Sequence, residues 1–333
     1  MKIIDISNKT VAVSRTDSIG DVVLTLPICA WIKNKFPTTK IVFFCKSYTF
    51  DVLKCYPFID EIVCFNQWNE ISDKEKIKSI ESLSIDTFIH VFPNKELASL
   101  VKKAKVPYRI GTSHRLFHWL NCNIRPNFTR KNSDYHEAQL NFELLRNLGL
   151  NTLPSKEELT EMLSAFSPRE KLNPFLEKVL DNSDKKIVLH TKSQGSAVEW
   201  PIEKYIELSH QLIDKGYCVY FSGTEKEGQL FRSFLPSHPK IIDVSGKSTV
   251  GELITFLSHC DALVACSTGP LHLASALGLK AIGLYTDLRP MHPGRWAPIG
   301  KKAMAITIQN EKNPTLDDIN LISVEQVLTA VTS

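Results

Sequence analysis

The sequence predicts an α/β protein made of two consecutive doubly wound, Rossmann-like domains facing each other across a cleft. Three observations predict it. Short apolar runs alternate with stretches of helical spacing in each half of the chain. A polar segment with Pro154, Pro168 and Pro174 interrupts the alternation once. The length, 333 residues, suits two ordinary domains better than one. The expected boundaries are a first domain over 1–150, a helical linker over 151–184 and a second domain over 185–333. The last helix could pack on either half.

In the first half, Val11 to Ser14 reads as a strand, and Asp21 to Phe36 follows with helical spacing at Val22, Leu26, Cys29, Ile32 and Phe36. Ile41 to Cys45, Ile62 to Phe65, Thr87 to Val91 and Arg109 to Gly111 are further short strands. Lys95 to Lys103 reads as a helix, and His136 to Leu148 as an amphipathic helix stopped by Gly149. After the linker the rhythm resumes. Lys186 to His190, Tyr217 to Ser222, Ile241 to Val244, Ala262 to Cys266 and Ala281 to Tyr285 are strands. Ile202 to Lys215, Glu225 to Phe234 and Val250 to His259 are helices between them, another opens at Gly269, and Val324 to Val331 is a final helix.

Composition bounds the class. Hydrophobic content of 43% and charged content of 23% are globular values. No apolar run is long enough to span a membrane, and the start lacks the apolar core of a secretory signal. The expected location is cytoplasmic, with peripheral contact at the inner face of a membrane as a possibility. The eight cysteines are scattered without a C-x-x-C pair, which reads as buried reduced thiols rather than a metal site. Charge is uneven. Residues 1–150 hold 21 Lys and Arg against 15 Asp and Glu, and the remainder 19 against 21. A basic first half points to an anionic partner or to an ordinary solvated surface. No aromatic–basic recognition motif supports nucleic acid as that partner.

The densest local signal is Ser267 to Leu277, lying between two strands. Ser267 or Thr268 can cap the helix, Gly269 permits close backbone approach, and Pro270 suits the first turn. Such a turn points unpaired N–H groups and a positive dipole end at one place, a seat for a phosphate. His272 lies inside that helix and reads as structural. At the other end of the chain, Arg15 to Asp21 follows the first strand. It has neither G-x-G-x-x-G nor a P-loop lysine, so neither dinucleotide nor ATP chemistry follows. Asp21 is either a general base or a helix-start carboxylate, and Asp17 reads as a turn residue. Lys192, Ser193 and the backbone at Gly195 and Ser196 either meet a phosphate or form a polar loop beside a packed Trp200. Glu225 either accepts from ribose hydroxyls or stabilises a helix start. Arg289 or Arg295 either clamps an anion or sits in a surface connector anchored by Trp296.

Taken in order, Arg15 to Pro27 with Lys33 and Phe36-Pro37, then His136, Trp200-Pro201, Ser222 to Glu225 and Ser267 to His272, resemble glycosyltransferase family 9, the bacterial lipopolysaccharide heptosyltransferases. The resemblance covers nearly the whole chain. It implies the GT-B architecture and an inverting, metal-independent transfer with no cofactor beyond a nucleotide-sugar substrate. The donor it implies is ADP-heptose, bound in the second half. The acceptor is an anionic lipid-linked saccharide of the lipopolysaccharide core, bound in the first. Asp21 matches the family's catalytic base. Lys192, Ser193, Thr224, Glu225, Ser267, Thr268, Gly269, Pro270, Leu271, His272 and Arg295 are the implied donor-site residues, with Glu225 matching the ribose-binding acid. Asp17, Ser18, Gly20, Arg109 and Arg115 are the acceptor-side candidates. Two departures stand out. Ser267 replaces an acid common before the Thr/Ser-Gly of the phosphate loop, and Val198 replaces a lysine two residues before Trp-Pro. Lys192 or Arg295 is the expected source of the missing cation. A binding-only relative, a transferase using a different nucleotide sugar and a sugar-nucleotide epimerase are the competing readings.

Overall fold

The computed structural model describes residues 3–131, 133–308 and 314–333, and it divides into two compact units between Ala165 and Phe166. Each unit carries a fully parallel sheet. The first has strand order β3-β2-β1-β4-β5, with β1 Thr10–Ser14, β2 Lys40–Cys45, β3 Glu61–Cys64, β4 Thr87–His90 and β5 Tyr108–Gly111. Its order reverses at β1, so the chain crosses first to one side and then to the other. Such a switch point opens a crevice at the carboxyl ends of the strands. Ser14, the last residue of β1, is in register with Phe44 on one side and His90 on the other.

The helices of this unit are α1 Ile19–Val23, α2 Leu26–Lys35, α3 Phe50–Lys54, α4 Asp73–Ser82, α5 Lys95–Lys103, α6 Leu116–Asn121, α7 Glu137–Phe142 and α8 Lys156–Leu163. The single helix expected from Asp21 to Phe36 is two. Pro27 has no N–H to give to the preceding turn, and its ring excludes the carbonyl four residues back. The chain therefore turns at Leu24 and Thr25 and restarts with Pro27 in the first turn of α2. The helix expected from His136 to Leu148 is α7 followed by a tighter 3-10 segment, Glu143–Leu148, ended by Gly149 at φ 83. That left-handed angle suits a residue without a Cβ. Ala12, Val42, Phe44 and Phe88 from the sheet meet Leu97, Leu100 and Val101 of α5 in the core on one face.

The expected linker divides between the units. α8 packs on α2, and the Tyr56 hydroxyl donates to the carbonyl of Met162 at 2.7 Å. The second unit begins with α9 Pro174–Leu180, whose Val179 carbonyl accepts from the Tyr220 hydroxyl at 2.7 Å.

The second sheet runs β11-β10-β9-β6-β7-β8. Its elements in chain order are β6 Lys186–His190, α10 Ile202–Asp214, β7 Cys218–Ser222, α11 Glu225–Phe231, β8 Ile241–Asp243, α12 Val250–Ser258, β9 Ala262–Cys266, α13 Gly269–Ala276, β10 Lys280–Tyr285, α14 Pro293–Trp296, β11 Met304–Thr307 and α15 Val324–Thr332. Here the order switches between β6 and β9. The final helix, α15, packs on α10 and β10 within its own unit. Trp200 is the anchor of this core, 1% exposed, its indole N–H donating to the carbonyl of Ile322 at 3.1 Å. Seven of the eight cysteines are buried, Cys64 is half-buried, and all eight are free thiols.

Candidate active site

In the first unit, the chain leaves β1 at its carboxyl end and turns through Thr16 to Ser18 into α1. Arg15 is buried at 4% exposure and holds this turn. Its Nε donates to Asp17 at 2.8 Å, one terminal nitrogen donates to Asp21, and the other reaches Glu137 at 3.2 Å and Asn141 at 3.4 Å. Glu137 is 1% exposed and also accepts from Arg130 at 2.9 Å. Asn141 reaches back to the Leu24 carbonyl at 3.1 Å, which fixes α7 against the α1–α2 corner.

This cluster sets three carboxylates against two guanidinium groups. Burial and the neighbouring Asp21 push Asp17 up against the pull of Arg15, and its carboxyl rises to about 6. Burial would lower the Arg15 pKa, but the surrounding carboxylates outweigh it and hold the guanidinium charged. Asp21 has both oxygens engaged, one by Arg15 and one by the Ser18 hydroxyl, and its side chain keeps 17% exposure. It is therefore oriented, ion-paired and still reachable from solvent. Gly20 is buried in α1, and Ser18 caps nothing in that helix; its hydroxyl serves Asp21.

Arg109, an acceptor-side candidate, is half-buried at β5. Its guanidinium donates to the carbonyls of Asn121, at 2.8 Å, and Val106, so it staples its own loop. Arg115 is exposed at the start of α6.

In the second unit, the carboxyl edges of β6, β7 and β9 hold the predicted donor residues other than Arg295. Thr268 is the N-cap of α13, extended at φ −126 and ψ 165, and it makes no side-chain cap bond. Its hydroxyl is buried and has no hydrogen-bond partner among the described residues; the same is true of Thr191, which follows β6 on the adjacent strand. The first-turn donors of α13 come from Gly269 and Leu271, since Pro270 has none. Leu271 and His272 are buried, at 0% and 3% exposure. Thus one edge presents a helix N-terminus and orphan hydroxyls with no carboxylate at the cap.

Ser267, just past the end of β9, stands close to the Tyr285 hydroxyl, which donates to the carbonyl of Trp296 at 2.6 Å. That bond ties the end of β10 to α14. Arg295 lies on α14, stacked over the Trp296 ring at 4.7 Å.

Lys192, a candidate for the cation near the diphosphate, is already ion-paired. Its ammonium pairs with Glu199 at 2.9 Å. Glu199 also accepts from the Ser193 N–H at 2.8 Å and hydroxyl at 3.0 Å. Burial pushes Glu199 up, but these bonds outweigh it and its carboxyl lies below its usual range. Glu199 was not visible as a site residue, although an acid beside Trp200-Pro201 was there to be read. Its role is to fold the loop after β6, where Gln194 and Gly195 take left-handed angles, φ 51 and 79.

Thr224 caps α11 with Glu227 in a reciprocal pair, the Thr224 N–H donating to Glu227 at 2.6 Å. Glu227 is buried near His190, whose ring hydrogen-bonds Ser222 at 3.0 Å. Glu225 points elsewhere. It is held by both terminal nitrogens of Arg232 at 3.0 Å each, on a half-exposed surface. That pairing must open, or share an oxygen, for Glu225 to accept from a ribose.

Comparisons with known proteins agree with this architecture. The model of glycosyltransferase family 9 (heptosyltransferase) matches residues 77–323. A Haemophilus influenzae protein named "Putative glycosyltransferase" is 28% identical over 96% of this chain and 95% of its own length. The lipopolysaccharide heptosyltransferase 1 of Campylobacter coli is 25% identical over 83% of each chain. Among solved structures, a family 9 glycosyl transferase from Veillonella parvula superposes with a TM-score of 0.84 at 20% identity, over 99% of this chain and 98% of that one. The Escherichia coli ADP-heptose lipopolysaccharide heptosyltransferase II does so with 0.74 at 17% identity, over 97% of each. The chain belongs to glycosyltransferase family 9.

Proposed function

We propose that this glycosyltransferase moves heptose from ADP-heptose onto the core of a lipopolysaccharide or a related lipid-linked surface glycan, with inversion and without a metal. The observation that carries the reading is Asp21. It stands at the carboxyl edge of the first sheet, both oxygens oriented and still partly exposed. A general base needs this combination of fixed geometry and access. In the proposed step Asp21 takes the proton of an acceptor hydroxyl as that oxygen bonds to the anomeric carbon. The bond from that carbon to the diphosphate breaks on the opposite face, and ADP leaves with the electron pair.

The α13 N-terminus is the proposed seat of the diphosphate. Thr268 and the Gly269 and Leu271 N–H groups would donate to it, supplying fixed dipoles where negative charge grows. The choice of ADP-heptose is supported by relatives: a lipopolysaccharide heptosyltransferase 2 of Escherichia coli is 29% identical over 119 residues, and an Escherichia coli heptosyltransferase of similar fold is known with ADP. The first unit's basic excess suits a phosphorylated acceptor met at the cytoplasmic side of a membrane. No helix among the described residues is long and apolar enough to cross one.

The test is ADP release by the full chain from ADP-heptose in the presence of a heptose-deficient lipopolysaccharide acceptor, with and without a chelator. ADP released only with both substrates, and undiminished by the chelator, is expected. A thermal-shift panel of ADP-, UDP-, GDP- and CMP-sugars checks the donor, since a ligand that binds the folded state raises the melting temperature. Binding of one nucleotide with no transfer to any acceptor would favour the binding-only reading that Ser267 raises.

A further inference from the structure

Helix α6 carries an apolar face that the fold leaves uncovered. Its inner side is packed: His118 is fully buried, its ring bonded to the Thr112 carbonyl at 2.9 Å. Its outer side is Leu116, Trp119 and Leu120, which are 88%, 58% and 72% exposed. Their i, i+3, i+4 spacing makes one contiguous stripe, an arrangement that ordinarily faces a core. The helix is not loose. The Trp119 indole N–H donates to the Ser113 carbonyl at 2.8 Å, the Arg125 guanidinium lies 4.5 Å over its ring, and Lys102 of α5 donates to the Leu120 carbonyl at 2.7 Å.

The surrounding charge is one-signed. From Leu97 to Ser133 the chain has eight Lys and Arg and no Asp or Glu. Of these cations Lys103 pairs with Asp73, Arg130 with Glu137, and Arg109 staples its loop. Lys102, Lys105 and Arg115 are exposed, Lys102 reaching the Leu120 carbonyl and Arg115 preceding Leu116 in the chain. A rigid tryptophan and two leucines with cations beside them suit the interface of an anionic bilayer. The apolar side chains enter the headgroup–acyl boundary while the cations meet lipid phosphates. A second copy of this chain would set like charge against like charge. A nucleic acid would find no use for two exposed leucines.

We propose that α6, with Lys102, Lys105, Arg115 and Arg125, is the surface by which this protein docks on an anionic lipid membrane. The helix begins just past the carboxyl end of β5, on the same edge of the first sheet as Asp21 after β1. With two strand spacings between β1 and β5, the carboxyl ends of these two strands lie on the order of 10 Å apart in the sheet plane. A lipid-linked acceptor would be met where its anchor already sits. The proposal deepens the reading of a lipid-linked acceptor, and its test needs no transfer, so each can fail alone.

The experiment is co-sedimentation of the full chain with vesicles of phosphatidylcholine alone and of phosphatidylcholine with phosphatidylglycerol. The wild type should pellet with the anionic vesicles only and be released by high salt. The triple variant Leu116→Ser, Trp119→Ser, Leu120→Ser should bind about tenfold more weakly or worse. Leu116→Asp alone serves as the second variant, since that side chain is almost wholly exposed and its replacement leaves the core untouched. Melting curves matching the wild type show that both variants fold. No pelleting by the wild type, or equal pelleting by both folded variants, overturns the proposal. So does a wild-type dimer that the triple variant turns into a monomer without any vesicle binding, which would make the stripe an interface between copies.

Discussion

The two sheets end in sites of opposite character. The edge after β1 concentrates charge: Asp17, Asp21 and Glu137 surround the buried Arg15, with Arg130 beyond. The edge after β6 and β9 leaves its centre neutral: Thr191 and Thr268 offer hydroxyls, and α13 offers its N-terminus. Around it Lys192 pairs with Glu199 and Glu225 with Arg232, while Glu227 is buried near His190 and accepts from the Thr224 N–H. The difference teaches how proton transfer and anion binding want different surroundings. A proposed base is held by ion pairing so that it is aimed while solvent still reaches it. An anion seat without a metal works through preorganised dipoles, which cost nothing to reorganise as charge develops.

Four substitutions would break or sharpen this contrast. Asp21→Asn keeps the size and a hydrogen-bonding oxygen but removes the proposed base, and it should lower the transfer rate about 10³-fold, measured as ADP release. Arg15→Met strands buried carboxylates and should destabilise the first unit by about 3–5 kcal/mol in chemical denaturation, since a broken buried pair leaves its partner charge uncompensated.

Asp17→Asn tests the excess negative charge. The folded-state pKa of Asp17 is raised to about 6, so the folded state binds more protons than the unfolded chain between about pH 4 and 6. Asp17 therefore lowers stability as pH rises through that window. His90 has the opposite sign: burial and the neighbouring His118 and Arg109 lower it to about 3. Its folded form binds fewer protons, so it adds stability as pH rises from about 3 to 6.5. Asp17→Asn should remove the falling component, about 1–2 kcal/mol after screening, and leave the rising one. Melting temperature against pH reads both. Lys192→Ala is the smallest change: with its charge already spent on Glu199, transfer should fall less than about threefold.

Much of the frame was readable because its signals are local. α5 falls where the sequence puts it, with Asn94 capping its start and Lys102 and Lys103 in its last turn. Gly149 stops its helix as expected. Other elements were missed for physical reasons. α4 is polar almost throughout, with little apolar face to betray it, although Ser72 and Glu75 form a capping box that could have marked it. α6 is apolar on its outer side, so it lacks the polar-out pattern of a surface helix. β11 is a half-exposed edge strand of four residues with no alternation to read.

The site divides the same way. Asp21 and the Thr268–Gly269–Pro270 turn sit next to strand ends, where sequence alone points to them. The bonds that give these residues their properties are long-range. Arg15 meets Glu137 and Asn141 more than a hundred residues away, and only folding reveals that this arginine is buried. Lys192 and Glu199 are seven residues apart across an irregular loop, a spacing that no periodicity foretells.

If donor binding belongs to the neutral edge and proton transfer to the charged one, ADP affinity separates the two by mutation. Calorimetric titration of ADP into the wild type, Asp21→Asn and Thr268→Val tests it. Asp21→Asn should bind ADP within about twofold of the wild type, while Thr268→Val, losing a hydroxyl donor to a charged phosphate, should bind about tenfold more weakly. ADP binding that collapses in Asp21→Asn and is untouched in Thr268→Val would contradict it.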